Sequence, residues 1–344
     1  MRPNTLNTLT YKKIMATRRD FLKSASMLTL GTLAACNANG GAAANQPAAP
    51  GSKYIGLQTY TLGGELYNDT ANVIKKLAEG GYTNFELAGY NPQARGFRAG
   101  GQNGSVISAA DFKKMCDDAG IAITCSHLTA NTLERGEKYT PETKDKILEY
   151  WKTVVEDHKT FGVEAIVQPS LPTIQNKEDA LNVCDVFNAI GEFLGQNGIK
   201  FGYHNHSNEF NRVIPGGEAA TPYYQRGFRR PGDDTPEPET IEKIFIENTD
   251  PSKVFFELDC YWTVMGQQDP LAWLKQYPNR IKFLHVKDFM VIGASGAMNW
   301  ENIFTQHYAN GNKYWFVEIE GTNSGHQVEY ALESAKYLLS RDFV

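Results

Sequence analysis

The sequence predicts a (β/α)8 barrel, a TIM barrel of the α/β class, over residues 53–344. Two observations carry the prediction. From Tyr54 onward, eight short apolar runs alternate with eight longer amphipathic segments, the pattern of repeated strand–helix units. No glycine-rich phosphate-binding turn follows the first run, so a dinucleotide-binding sheet has no support. The length available suits one barrel of about 250 residues.

Strands are expected at 54–59, 84–87, 122–126, 165–168, 200–204, 254–258, 281–285 and 314–319. Helices are expected at 69–79, 109–119, 141–161, 177–196, 240–247, 270–277, 301–307 and 328–339. Gly80-Gly81, Gly120, Gly162 and Gly198 close four of these helices, as C-cap glycines do. Two connections are long, 89–108 after the second strand and 207–239 after the fifth. Both start at the C-terminal end of a strand, where barrel enzymes keep their sites. The second carries Tyr223-Tyr224-Gln225-Arg226-Gly227-Phe228-Arg229-Arg230, which reads equally as a substrate cover or a solvated basic patch.

Residues 1–36 read as an export leader. Thr17-Arg18-Arg19-Asp20-Phe21-Leu22-Lys23 is a twin-arginine pattern, an apolar stretch follows, and Leu33-Ala34-Ala35-Cys36 fits a lipobox in which Cys36 is acylated. Met15 is an alternative start. Residues 37–52, rich in Ala, Asn, Gly and Pro, read as a flexible tether. The expectation is a lipid-anchored protein, periplasmic or on the outer membrane, folded and metal-loaded before translocation. Residues 1–35 hold six of the 34 basic side chains and one of the 39 acidic ones. The remainder therefore has a net charge of −10, a surface that disfavours nucleic acid. Cys116, Cys125, Cys184 and Cys260 show no zinc-site spacing and read as buried thiols.

Six strand ends carry polar groups: Phe85-Glu86-Leu87, Cys125-Ser126-His127, Tyr203-His204-Asn205-His206, Phe256-Glu257-Leu258-Asp259, Leu284-His285-Val286-Lys287-Asp288 and Val317-Glu318-Ile319-Glu320. Such a recurrence points to convergence on a metal or a substrate. Asp259 and Glu257 share one strand face by the two-residue alternation, and two buried carboxylates without a cation would be costly. Glu320 competes with Glu318 by the same alternation. Glu86 is placed to hold a substrate hydroxyl or a lysine. Tyr261 and Trp262 wall a sugar or simply pack. His158 and His307, within helices, are expected at the surface.

In this order and spacing, the Tyr203-to-Phe210 segment, Glu257-to-Trp262, His285-to-Asp288 and Val317-Glu318 resemble the xylose isomerase-like barrel superfamily. The branch is that of sugar phosphate isomerases and epimerases. The resemblance spans nearly all of 53–344 and is specific for the superfamily, not for a substrate. It implies one divalent metal bound by two glutamates, an aspartate and a histidine. Asp259, His285 and Glu318 match by motif. Many relatives place the remaining glutamate on the fifth strand, which here ends in His204-Asn205-His206. Glu209, just beyond, is taken as the fourth ligand, with His206 the alternative.

Mn²⁺ suits such a donor set, with Zn²⁺, Mg²⁺ and Co²⁺ as competitors. The expected chemistry is proton abstraction next to a carbonyl through a metal-stabilised enediolate. Glu318, Glu209, His206 and His204 are the candidate catalytic groups. Glu86, His127, Lys287, Trp262 and Glu257 are the candidate substrate contacts. The expected function is therefore sugar isomerisation or epimerisation on a small carbohydrate. A variant is a lyase or hydrolase of 3-keto-glycosides by β-elimination. A non-catalytic sugar-binding lipoprotein is the alternative from another class. A phosphodiesterase, which resembles a richer histidine cluster, is disfavoured by the acidic surface. Oligomerisation is left open.

Overall fold

Eight parallel strands close into a barrel in chain order: β1 (Gly56–Gln58), β2 (Asn84–Leu87), β3 (Ala122–His127), β4 (Ala165–Gln168), β5 (Lys200–His204), β6 (Val254–Asp259), β7 (Ile281–Lys287) and β8 (Tyr314–Glu318). The last strand pairs back onto the first through Gly56 with Phe316 and Leu57 with Val317. The computed structural model describes residues 53–99, 104–213, 238–320 and 325–344. The leader, the tether up to residue 52 and the arginines at 226, 229 and 230 lie outside the described residues.

The main helices are α1 (Thr70–Glu79), α2 (Ala109–Ala119), α3 (Lys144–Phe161), α4 (Lys177–Gln196), α5 (Ile241–Asn248), α6 (Pro270–Gln276), α7 (Trp300–Ala309) and α8 (Gln327–Leu339). Their starts follow capping chemistry. Ser108, Asn176, Thr240 and Asp269 each accept a backbone N–H of the first turn, satisfying donors that have no partner within the helix. Gly120 and Gly162 close α2 and α3 at φ of 76°, a left-handed conformation open to glycine.

Most boundaries fall within one or two residues of expectation, and three departures have a visible cause or consequence. β1 stops at Gln58, because the Gln58 side chain accepts the Tyr60 N–H and starts a 3₁₀ turn over Thr59–Leu62. β7 continues to Lys287, which pairs with Glu318 of β8. The third helix starts at Lys144.

Each helix turns one apolar stripe to the barrel. On α3 this is Ile147, Trp151, Val154, Val155, His158 and Phe161, all buried. Trp151, Phe187, Phe201, Tyr203 and Phe245 form a mostly edge-to-face aromatic cluster between the strands and helices. His158 and His307, expected at the surface, are fully buried. The reason is their place on the apolar stripe. His158 is satisfied there, with Nδ1 on the Val154 carbonyl and Nε2 beside Ser126 Oγ at 3.1 Å. Burial holds both histidines low, to about 4 and about 3, so both are neutral at pH 7. The four cysteines 116, 125, 184 and 260 are buried free thiols.

The alternation along the strands sorts the barrel interior into layers. At the bottom, Cys125, Ala165, Val167, Phe255, Phe283 and Phe316 form an apolar plug. Gly202 is required there, since a Cβ would sit 2.6–2.9 Å from the Phe255 ring. Two residues further along β5 to β8 come His204, Glu257, His285 and Glu318, and two further on β6 and β7 come Asp259 and Lys287. The plug fills the interior from below, so the polar layers open only toward the C-terminal mouth. Among the described residues, no helix is long and apolar enough to cross a membrane.

Candidate active site

His204, Asp259, His285 and Glu318 each point one ligand atom into a common space, all within 4.8 Å of one another. Local structure aims Asp259. It caps the short helix Cys260–Met265, and Oδ1 accepts the Trp262 N–H at 2.8 Å. The other oxygen, Oδ2, is left facing the cluster. Asn205 braces the same turn by accepting the Asp259 N–H at 3.1 Å. Oδ2 is buried and accepts no hydrogen bond, with the Lys287 ammonium 3.3 Å away but not aligned to donate. Lys287 lies 2.8 Å from Glu318 and 2.7 Å from Glu320, so it links the cluster to the mouth.

A second layer lies directly beneath. His285 Nε2 meets Glu86 at 2.5 Å and Glu257 at 3.2 Å, while its Nδ1 meets Glu318 at 2.7 Å. Gln58 donates to Glu86 at 2.8 Å. His127 Nε2 pairs with Glu257 at 2.9 Å, and its ring stacks on His285 with centroids 5.0 Å apart. Glu86 and Glu257 each sit at a register shift, in β2 against β3 and in β6 against β7. Such irregularities re-aim side chains near functional sites.

The electrostatics follow from burial set against neighbours. Burial alone would lower His285, but Glu257, Glu86 and Glu318 outweigh it and hold the imidazole well above its ordinary range. Burial would raise Glu318 and Glu257. Lys287 and His285 instead hold Glu318 low, and His285, His127 and His204 hold Glu257 low. Asp259 is pushed up to about 6 by burial, against the pull of Lys287 and His285. His204 is held well down by burial and by the charge of His285, leaving it neutral with a free lone pair. Four fully or nearly buried carboxylates, Glu86, Glu257, Asp259 and Glu318, thus crowd around the Lys287 ammonium and the His285 ring, an arrangement that a divalent cation would relieve.

The expected site residues divide by position. Asp259, His285 and Glu318 come together with His204, which takes the place expected of Glu209. Glu209 is buried, but its Oε1 accepts from the Tyr203 hydroxyl at 2.6 Å and its Oε2 from the His206 N–H at 2.9 Å. Tyr203 faces the helices, opposite to His204 on the strand, so Glu209 lies behind the barrel wall and outside the ligand set. There, burial pushes Glu209 up to about 7. The signal for His204 was in the alternation of β5, which turns His204 inward as surely as Tyr203 outward. Glu86 and Glu257, expected to touch substrate, are fully buried beneath the imidazoles. His127, His204, His206, Glu318 and Glu320 line a cavity of about 480 Å³ at the mouth. Trp262 stands beside it, 5.7 Å from the His206 ring, with the Lys287 ammonium 5.3 Å from its own ring. Gln58 and Asn205 were not foreseen, because short amides at strand ends carry no distinctive spacing.

The family model described as the xylose isomerase-like TIM barrel matches residues 74–341. A solved sugar phosphate isomerase/epimerase from Parabacteroides distasonis is 45% identical with a TM-score of 0.77, over 87% of this chain and 100% of that one. A 3-keto-D-glucoside 4-epimerase from E. coli is 15% identical with a TM-score of 0.59, over 84% of this chain and 100% of that one, a likeness of fold alone. An inosose dehydratase of Clostridium tetani is 22% identical over 241 residues, 61% of this chain and 72% of that protein.

Proposed function

The chain belongs to the xylose isomerase-like TIM-barrel family, and from that premise we propose that it is a sugar isomerase or epimerase. The reaction is removal and return of the proton on the carbon next to a carbonyl. One observation carries the reading: the buried Asp259 Oδ2, which accepts no hydrogen bond, among His204, His285 and Glu318. Two imidazoles and two carboxylates suit Mn²⁺, Co²⁺ or Zn²⁺, with Mg²⁺ disfavoured by the nitrogen donors. A divalent ion held by these four residues would polarise the substrate carbonyl and acidify the neighbouring carbon.

The chain's own groups do the rest. Glu318 and His206 both line the cavity. Glu318 is held ionised by Lys287 and His285. His206 is kept neutral at pH 7 by burial and by Lys287, at about 4. Either can take the proton. Lys287 fixes Glu318 and Glu320 in place. Return of the proton to the same carbon from the other face gives epimerisation; return to the former carbonyl carbon, with the neighbouring hydroxyl proton passing to the former carbonyl oxygen, gives isomerisation.

The elimination variant begins with the same proton. The C2–H bond of a 3-keto-glycoside breaks with its proton going to Glu318 or His206, the C1–C2 double bond forms, and the C1–O bond breaks with its electron pair going to the leaving oxygen, which takes up a proton and departs as an alcohol. A second cavity beside the first, with room for a leaving ring, supports this variant. The lipid-anchored, exported state is likewise proposed, on the leader pattern alone.

The test is metal content of the purified protein beside Asp259→Ala, with deuterium incorporation from solvent into keto-sugars. About one ion per chain, lost in the variant, with exchange at the carbon next to the carbonyl, is the expected result. No ion in either protein after incubation with Mn²⁺, Zn²⁺ or Co²⁺ would overturn it and favour a sugar-binding protein.

A further inference from the structure

Among the described residues, two cavities of nearly equal size open side by side at the mouth of the barrel. The first, about 480 Å³, contains the histidine and carboxylate groups of the candidate active site. The second, about 470 Å³, is lined by Thr59, Tyr60, Thr61, Tyr67, Glu320 and Gln327 with nearby backbone, and by none of the four cluster residues. Tyr60, Ala88, Gly89 and Glu320 line both. The two are therefore adjoining compartments of one cleft.

The shared wall is built, not incidental. Tyr60 is 61% exposed although Thr59, Thr61 and Leu62 around it are buried. Its neighbours pin the turn: Thr59 Oγ1 accepts the Ala88 N–H at 2.8 Å, and Thr61 Oγ1 accepts the Ile319 N–H at 2.9 Å. The phenol ring is thus held out at the junction with its face uncovered. Gly89, at φ of 80°, gives the opposite wall a bare backbone, and a Cβ there would sit 3.5 Å from the Tyr67 hydroxyl. Glu320 is tied to the reacting side through Lys287, which also holds Glu318.

The lining chemistry selects the ligand. An aromatic face attracts the polarised C–H face of a sugar ring. Glu320 and Gln327 accept and donate to hydroxyls. Among the described residues that line either cavity, none is lysine or arginine, and Glu320 would repel an anion at this range. A phosphate therefore finds no lysine or arginine to pair with in the described cleft, whereas an uncharged polyhydroxylated ring finds an aromatic face and several hydrogen-bonding groups. Either cavity falls within the range of about 300–1,000 Å³ typical of small-molecule sites, so one monosaccharide leaves the second empty.

We propose that the second cavity is a subsite for the second ring of an uncharged two-ring glycoside, whose first ring reacts beside His204 and Glu318. The substrate class is then a disaccharide or similar glycoside, not a sugar phosphate. This rests on the reading of the first cavity as the reacting-sugar site.

The test is calorimetric binding of cellobiose, maltose, trehalose and lactose against glucose, galactose and glucose 6-phosphate, with and without Mn²⁺. At least one disaccharide should bind about tenfold or more tighter than its monosaccharides. Gln327→Ala, which touches only the second cavity, should bring that disaccharide to the monosaccharide level and leave the monosaccharide unchanged. Tyr60→Ala should weaken the disaccharide more than the monosaccharide. Tighter binding of glucose 6-phosphate, no disaccharide preference, no disaccharide binding, or equal loss in Gln327→Ala overturns the subsite. The two-ring preference is read without turnover. A protein that lacks metal yet prefers two rings refutes the enzyme reading alone, and one that holds metal without the preference refutes the subsite alone.

Discussion

Glu86→Gln isolates what the lower layer does for the upper one. The outward nitrogens, His285 Nδ1 and His204 Nε2, face Glu318 and Asp259, while His285 Nε2 faces Glu86 at 2.5 Å and Glu257 at 3.2 Å. For His285 to ligate through Nδ1, its proton must sit on Nε2, and Glu86 is the acceptor that keeps it there. A hydrogen bond to a charged group contributes about 1.5–3 kcal/mol and a neutral one about 1. Glutamine keeps the shape and an acceptor but removes the charge, a loss of about 1–2 kcal/mol, or roughly 5–30-fold in affinity. Glu257, against the same nitrogen, takes up part of the loss, so the expected weakening of Mn²⁺ or Zn²⁺ binding is about tenfold. Adding Glu257→Gln should deepen it. Competition against a chromogenic chelator measures the effect, with the melting temperature of the metal-free protein as the check on folding. A metal affinity within about twofold of wild type in a normally folded Glu86→Gln protein would refute the orienting role.

Three further outcomes are expected. Gly202→Ala should destabilise the barrel by about 1–3 kcal/mol in urea unfolding, because the added methyl meets the Phe255 ring at 2.6–2.9 Å. The hydrogen bond from Arg95, with help from Tyr90, holds the Asp157 carboxyl below its ordinary range. Its stabilisation is present above the unfolded-state value of about 3.9 and is lost as pH falls through the lower folded value, so Asp157→Asn should lower the melting temperature at pH 7 and lessen its fall below pH 4. Cys36→Ser should abolish palmitate labelling and release the exported protein from the membrane fraction; labelling that survives refutes the lipobox reading.

Much of the architecture was legible in the chain because strand and helix periods are local. The eight apolar runs become the eight strands within a few residues, and the glycines at 120 and 162 end their helices as C-caps. The residues that gather at the mouth were legible too. A short apolar run that ends in a carboxylate or an imidazole, as at Asp259, His285 and Glu318, carries that group toward the interior, where it is costly unless something binds it. Local signals do not show which face of the wall a residue beyond the strand reaches. Glu209 is only five residues from His204, yet a 3₁₀ turn over Asn208–Phe210 carries it behind the wall to Tyr203.

Depth was also set by tertiary structure alone. Register shifts at Phe85/Glu86 and Phe256/Glu257 sink two carboxylates beneath the imidazoles, where they hydrogen-bond His285 and His127. His158 and His307 were misplaced for a related reason: burial depends on which stripe of a helix meets the barrel, and a polar ring on that stripe is carried inside. The chain by itself determined the strand ends and the kinds of groups they deliver. Only closure of the barrel, which fixes register between strands distant in sequence, decided which of those groups face one another, at what depth, and beside which second cavity.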